Sequence, residues 1–229
     1  MNKIHKKLNL MLALLTVGGL GCRHELEVEN LYQYSKQAEI DKSQEGLVIS
    51  LIPSSSFHRD FYHLVSEKME MLGGYKVDVF GDRDRADMTI SIKDFCGGTS
   101  DWTNFLVCFP GFILFTHAWL GYRYVCEPRW DVIAIDRNIN KELFRQTIDM
   151  ELELRYAGPS KTWANIVGLC AVGVGWSVVN GICVAISYDE DATEELFRTT
   201  QDAMATYVAQ QLVKKINSAM LSKSDKSVR

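Results

Sequence analysis

Phe144-Arg145-Gln146-Thr147-Ile148-Asp149-Met150-Glu151-Leu152-Glu153-Leu154-Arg155-Tyr156 alternates between two kinds of residue along its length. The even-numbered positions are apolar apart from Gln146, and the odd-numbered positions are polar or charged. Because successive side chains of a strand point to opposite faces, this pattern predicts one long strand with a buried face and a solvated face. Residues 132–135 precede it across a turn at residues 136–140, so the two segments are expected to form a hairpin that extends a larger sheet.

Three strands and a helix are predicted upstream of the hairpin. Residues 47–52 are apolar on both faces, which is typical of a central strand. Residues 57–72 carry an apolar stripe at helical spacing, and Gly73-Gly74 ends that helix. Residues 75–79 and 87–93 alternate as strands. The order is therefore strand, helix, strand, strand.

A long helix with an apolar stripe is expected from Thr193 to Met220. Residues 221–229 are expected to form a disordered tail. The sequence thus predicts an α+β fold at residues 47–220: a mixed or antiparallel sheet, made of the strand-helix-strand-strand unit plus the long hairpin, covered by helices.

The amino-acid composition excludes several classes of protein. With 229 residues, 47% hydrophobic and 24% charged, the chain has the composition of a globular protein, and a mean hydropathy of -0.07 excludes a polytopic membrane protein. The net charge is -4, and without the first 21 residues it becomes -7, from 22 basic against 29 acidic side chains. This balance argues against nucleic acid as a partner.

Two long segments lack any formal charge: 21 residues between Asp101 and Arg123, and 27 residues between Lys161 and Asp189. Both exceed the length of about 18 residues that marks a membrane candidate. Amphipathic aromatic residues lie near their ends, as is typical at headgroup depth. The predicted membrane-contact residues are Trp102, Trp119, Trp163 and Tyr188. We therefore expect two apolar, membrane-associated insertions at residues 102–122 and 163–188.

Three arrangements of these insertions are open. Straight transmembrane helices would separate residues 123–161 from the rest of the sheet. Re-entrant hairpins, broken at Pro110-Gly111 and at Gly173-Val174-Gly175, would keep all strands on one side. A buried core of a soluble domain is the third arrangement, because polar residues within both segments would be costly in lipid. His117 is one of these residues, and its role is left open.

The second segment also contains small residues at every fourth position. They are Gly173, Ser177, Gly181 and Ala185. Residues four apart share one face of a helix, and a face without bulky side chains lets another helix approach closely. The stripe predicts helix packing, either within the chain or in a homo-oligomer.

Residues 1–22 run from basic to apolar to small. Lys3, Lys6 and Lys7 precede an apolar run, and Gly21-Cys22 follows it. This order resembles the signal peptide of bacterial lipoproteins, whose lipobox ends in the cysteine that is acylated. The resemblance implies a signal peptide at residues 1–21, lipidation of Cys22 with fatty acids such as palmitate, and a lipidated tether at residues 22–46. It also implies a lipid-anchored protein of the cell envelope that faces the periplasm, and Arg23 favours the outer membrane over the inner one.

No catalytic motif, cofactor motif or metal-ligand spacing is present in the sequence. Cys96 and Cys126 flank the first apolar segment and are the one pair considered for a disulfide. We therefore predict a non-enzymatic envelope lipoprotein, an assembly, scaffold or accessory factor, with a small α/β domain. Its expected partners are the bilayer, and a second copy or another envelope protein. A membrane-surface hydrolase and a binding module for lipid or cell-wall material are the alternatives.

Acylation of Cys22 can be tested directly. A fatty-acid analogue supplied to cells should label the wild-type chain and leave Cys22→Ser unlabelled, because no other residue occupies the acceptor position of the lipobox. Labelled protein is detected on a denaturing gel after conjugation to a fluorophore. Equal labelling of the two chains would show that the N-terminus is not a lipoprotein signal.

Overall fold

A computed structural model describes residues 26–36, 46–54, 59–81, 85–108, 121–156, 167–168 and 171–227, and for Ser177 and residues 223–227 it describes the backbone alone. The predicted signal peptide, Cys22, Trp119, His117 and Trp163 lie outside these ranges. The described strands are β1 (Glu27–Val28), β2 (Val48–Pro53), β3 (Lys76–Val79), β4 (Met88–Ser100), β5 (Tyr122–Asp136), β6 (Lys141–Asp149) and β7 (Leu152–Tyr156). The described helices are α1 (Arg59–Gly73), α2 (Asn104–Cys108), α3 (Val174–Ile186) and α4 (Glu190–Ser227).

The strands form a mixed sheet in the order β1-β7-β5-β4-β2-β3, and β6 also pairs with β5. The prediction of an α+β fold with a mixed sheet is confirmed. The chain divides into two compact units. Unit 1 comprises Met1–Glu29, Gly98–Cys126 and Leu152–Glu195, and unit 2 comprises Asn30–Gly97, Glu127–Glu151 and Leu196–Arg229.

In unit 2, β2 is a central strand, as predicted. It pairs in parallel with β3 on one side and with β4 on the other, and Ile49 lies opposite both Val77 and Met88. Ile49 and Leu51 are fully buried. Parallel pairing requires a crossover, and α1 supplies it between β2 and β3. The helix ends where Gly74 adopts a φ of +72°, a conformation that side chains disfavour, and donates to the carbonyl of Glu70 at 3.0 Å.

The predicted single strand from Phe144 to Tyr156 is two strands, β6 and β7. Both pair with β5 in one unchanged register, from Arg129 opposite Asp149 to Tyr122 opposite Tyr156. The interruption lies opposite Pro128, whose nitrogen carries no hydrogen, although Met150 still donates to the Pro128 carbonyl at 3.0 Å. The alternation predicted from the sequence is preserved, because Phe144, Ile148, Met150, Leu152, Leu154 and Tyr156 are all buried.

Residues 26–36, which the sequence assigns to the tether, lie against the sheet. In unit 1, β1 is antiparallel to β7, with Val28 opposite Leu154. In unit 2, the Asn30 amide donates to the Glu151 carbonyl at 2.7 Å, and the Glu151 N–H donates to the Tyr34 hydroxyl at 3.1 Å. Glu151 lies in the gap between β6 and β7, so these side chains supply the hydrogen bonds that a neighbouring strand would make.

The C-terminal helix α4 extends to Ser227, beyond the predicted end at Met220. Its apolar stripe in unit 2 is fully buried at Met204, Val208, Leu212 and Ile216. There α4 packs against α1: the ring of Phe197 meets that of Phe61 edge-on at 5.8 Å, and Lys68 forms an ion pair with Asp202 at 2.8 Å. Phe61 also stacks on Trp130 of β5 at 5.6 Å, so this one ring joins two helices and the sheet.

Truncation of Phe61 should therefore destabilise the chain strongly. Phe61→Ala removes a ring that is 2% exposed, and we expect it to lower the free energy of unfolding by about 3–5 kcal/mol. Met71→Ala is the matched control, because Met71 lies on the same helix and is 61% exposed, and it should change stability by less than about 0.5 kcal/mol. Urea unfolding followed by circular dichroism measures both. Similar losses in the two variants would contradict the central position of Phe61.

Candidate functional site

Helix α3 of unit 1 presents an apolar face to solvent. Val179, Ile182, Cys183 and Ile186 follow one another at helical spacing, and all four are exposed. Trp176 continues the same spacing toward the N-terminus, with an exposed fraction of 36%. No residue of α3 carries a charge. These five residues are named the apolar face here, and exposed apolar surface of this kind typically marks a contact site for a membrane or another molecule.

The opposite side of α3 packs against α2. Gly181 is buried, and a Cβ atom at that position would lie 3.2 Å from the Phe105 ring and 3.3 Å from the Cys108 Cβ. Asn180 donates to the Cys108 sulfur at 3.4 Å. The close approach at Gly181 is the geometry that a small residue permits.

A buried asparagine fixes α2 to the sheet. Asn104 is fully buried; its side-chain oxygen accepts from the Arg123 N–H at 2.7 Å and its amide donates to the Arg123 carbonyl at 2.7 Å. The same amide donates to Ser100 at 2.9 Å, and the Ser100 hydroxyl donates to the carbonyl of Val184 in α3. This network satisfies the polar groups of Asn104 inside an apolar segment and ties β4, β5, α2 and α3 together.

Aromatic side chains complete the packing of unit 1. The Tyr188 ring meets that of Tyr124 at 5.5 Å and fills the space where Gly98 lacks a side chain, and its hydroxyl lies 2.9 Å from the Thr193 hydroxyl. Burial raises the pKa of Tyr124 well above its ordinary value, and Asp189 raises it further. Burial likewise raises the pKa of Tyr122, with a smaller effect from Cys108. These tyrosines are neutral at physiological pH and do not supply charge to the site.

The predicted membrane-contact and helix-packing residues differ in their exposure to solvent. Trp102 is 63% exposed and stacks on Phe105 at 5.8 Å, whereas Tyr188 is half-buried. Gly173 precedes α3 with a φ of +91°, and Ala185 is buried with Gly181. For Ser177 only the backbone is described, and Trp119 and Trp163 lie outside the described residues. The membrane-contact and helix-packing roles stay predictions.

Sequence reasoning missed the outward face itself, namely Trp176, Val179, Ile182, Cys183 and Ile186. The signal was present as a second periodic stripe beside the small residues. None of the helices in the described part of the chain is long and apolar enough to cross a membrane. Cys96 is an exposed thiol and Cys126 a buried thiol, so the disulfide considered from the sequence is not formed.

Among the described residues of unit 2 lie two open grooves of about 500 Å³ each. One lies beside β6 and the end of α4, and the other beside Tyr34 and Glu151. Neither is lined by a cysteine or a histidine. Within the described ranges, no group of three or more His, Cys, Asp and Glu side chains is placed to hold a metal ion. The apolar face is therefore the best-defined candidate site.

A scan against protein-family models finds no match, and a search of curated proteins finds none either. Among solved structures, the chain is similar to rare lipoprotein B from Shewanella oneidensis, with 12% identity, a TM-score of 0.39, and coverage of 77% of this chain and 98% of that one. It is also similar to a neuraminyllactose-binding hemagglutinin homolog from Helicobacter pylori, with 9% identity, a TM-score of 0.31, and coverage of 71% and 95%. A third similar structure is the PelC dodecamer from Paraburkholderia phytofirmans, with 6% identity, a TM-score of 0.24, and coverage of 71% and 98%. Structural likeness at this level carries no functional argument. Any inference about function therefore rests on the geometry of the site and on the N-terminal residues.

The contact between α2 and α3 can be tested at Gly181. Gly181→Leu should destabilise unit 1, because the added side chain meets Phe105 and Cys108, and we expect a loss of about 1–3 kcal/mol. Gly175→Leu is the matched control on the same helix, since no described atom lies within 4 Å of a Cβ there. Thermal unfolding of both variants measures the difference. Equal unfolding temperatures would show that close packing at Gly181 is not required.

Proposed function

We propose that the chain is an acylated lipoprotein of the bacterial cell envelope, held through Cys22, that docks unit 1 on the bilayer through its apolar face. In this function the protein is a non-enzymatic assembly, scaffold or accessory factor that faces the periplasm, on the outer membrane rather than the inner one. The observation that supports it is the exposed stripe of α3 at Val179, Ile182, Cys183 and Ile186, which contains no charge.

The chemistry of the face favours lipid as its partner. Complete burial of a Val or Ile side chain contributes about 1.5–3 kcal/mol, so immersion of Val179, Ile182 and Ile186 in the acyl boundary provides a few kcal/mol. Trp176 lies on the same face, and tryptophan is favoured at the boundary between headgroups and acyl chains. Without charge on α3, binding should depend little on salt or on anionic lipid.

The position of the anchor supports the same orientation. Five residue steps join Cys22 to Glu27, which begins β1, and an extended chain of that length spans about 18 Å at most. β1 pairs with β7 in unit 1, the unit that also contains α3. An acyl chain on Cys22 would therefore hold unit 1 close to the membrane surface, because the linker is too short to let the folded chain move far from the bilayer.

Fluorophores on two exposed cysteines can test the docking. The acylated protein is reconstituted in phosphatidylcholine vesicles and labelled with the fluorophore NBD at Cys183 on the apolar face, or at Cys96 on β4 as the matched control. The other exposed cysteine and Cys170 are replaced by serine. We expect doxyl-labelled lipid to quench the Cys183 probe and aqueous iodide to quench the Cys96 probe, at both low and high salt.

A double variant separates the contribution of the apolar face to membrane docking from that of the acyl anchor. Ile182→Asp with Ile186→Asp should move the Cys183 probe to the iodide-accessible side, while the acylated protein still floats with the vesicles. Quenching of the wild-type Cys183 probe by iodide, as at Cys96, would reject the docking. A Cys183 probe that neither reagent quenches would also reject it, because other segments of the chain would then cover the face.

A further inference from the structure

The outer edge of β6 in unit 2 carries backbone groups that point away from β5. In an antiparallel pair, alternate residues direct both backbone groups toward the partner strand. Met150 donates to Pro128, so the even-numbered residues of this register face β5, and the odd-numbered residues face outward. Glu151 follows the rule, because its outward N–H and carbonyl are bonded by Tyr34 and Asn30. By the same alternation, the N–H and carbonyl groups of Arg145, Thr147 and Asp149 point outward.

Two features limit this open edge to five residues. At one end, the register with β5 shifts between Ala134 and Ile135, which leaves Leu143 as an extra residue that bends the strand. At the other end, Tyr34 and Asn30 occupy the edge at Glu151. Within the described ranges, β5 is the one strand that pairs with β6. The segment Arg145–Asp149 is therefore a short, straight edge without the lysine or proline that commonly protects such edges.

We infer that this edge pairs with the same edge of a second copy of the chain, antiparallel and centred on Thr147. The two-fold axis then sets Thr147 opposite Thr147 of the second copy, and Arg145 opposite Asp149 of the second copy. Both pairs consist of residues whose backbone groups point outward, so they are the hydrogen-bonded pairs of the new ladder. Opposite charges directly across a ladder stabilise it, and here each ion pair occurs twice.

Charge also favours this register over others. A shift by two residues sets Thr147 opposite Arg145 or Asp149 and loses both Arg145–Asp149 pairs. A shift by four centres the ladder on Arg145 or on Asp149 and sets two like charges opposite each other, which is unfavourable. The existing partner of Arg145 is no obstacle: its ion pair with Glu142, at 3.1 Å, is exposed, and exposed pairs of this kind rearrange at little cost. The edge is thus complementary to itself in both hydrogen bonds and charge, which favours a second copy over an unrelated peptide.

Oxidative crosslinking in membranes tests the pairing. Thr147→Cys is introduced into the full acylated chain with Cys96, Cys170 and Cys183 changed to serine. Directly opposed residues of a hydrogen-bonded pair have Cα atoms about 5.5 Å apart, a distance that a disulfide spans. We expect a disulfide-linked dimer on mild oxidation. Asn138→Cys, in the exposed turn before β6, is the control for random collision and should crosslink at least about tenfold more slowly.

Charge variants identify the register. Arg145→Asp or Asp149→Arg, each combined with Thr147→Cys, should reduce crosslinking about tenfold, because like charges then face each other. Mixing the two variants, with different tags, should restore crosslinking between unlike copies, since every pair is again of opposite charge. This recovery also shows that both variants are folded.

Three outcomes would overturn the inference. In the first, Thr147→Cys crosslinks no faster than Asn138→Cys. In the second, the mixed charge variants crosslink no better than each variant alone. In the third, the crosslinked product of Thr147→Cys contains a different protein, which would assign the edge to an extended segment of another partner.

Discussion

Burial of alternate side chains along β5 is the constraint on which the sheet depends. Tyr122, Tyr124, Cys126, Trp130, Val132 and Ala134 are at most 1% exposed, whereas Arg123, Glu127 and Arg129 between them face solvent. A slip of one residue would move every one of these buried side chains to the solvated face, so the register of β5 is strongly specified. From Phe144 to Tyr156, β6 and β7 pair with β5 in this one register, and the burial of their side chains follows from it.

The alternation of Phe144 to Tyr156 was sufficient to predict which of its side chains are buried, because burial in a strand follows a local period of two. The break at Met150 and Glu151 could not be predicted from that stretch, since its cause is Pro128 on the neighbouring strand. Docking of Glu27–Val28 was missed for a different reason. Only Leu26 and Val28 alternate with glutamates there, and two apolar positions are too few to distinguish a strand from a tether.

The candidate site shows a different limit of sequence reasoning. Composition located the apolar segment around α3, and spacing identified the small residues Gly181 and Ala185 as one face of a helix. The sequence pattern could not decide which face points inward, because Val179, Ile182 and Ile186 place apolar side chains at helical spacing on the opposite face as well. The choice is made by long-range contacts: Asn104 fixes α2 to Arg123 of β5, and α2 then packs against Gly181.

The proposed contacts of the protein are individually small, and the proposed acylation of Cys22 would make them effective. An apolar face of a few side chains and a five-residue edge would each bind weakly between molecules that diffuse freely. Acylation of Cys22 would confine every copy to one surface, so docking of α3 would become intramolecular and collisions between copies would become frequent; both would raise the effective concentration without any new contact. Weak docking and weak pairing are therefore compatible with the proposed function, because neither surface would have to drive association before the anchor had placed the chain on the membrane.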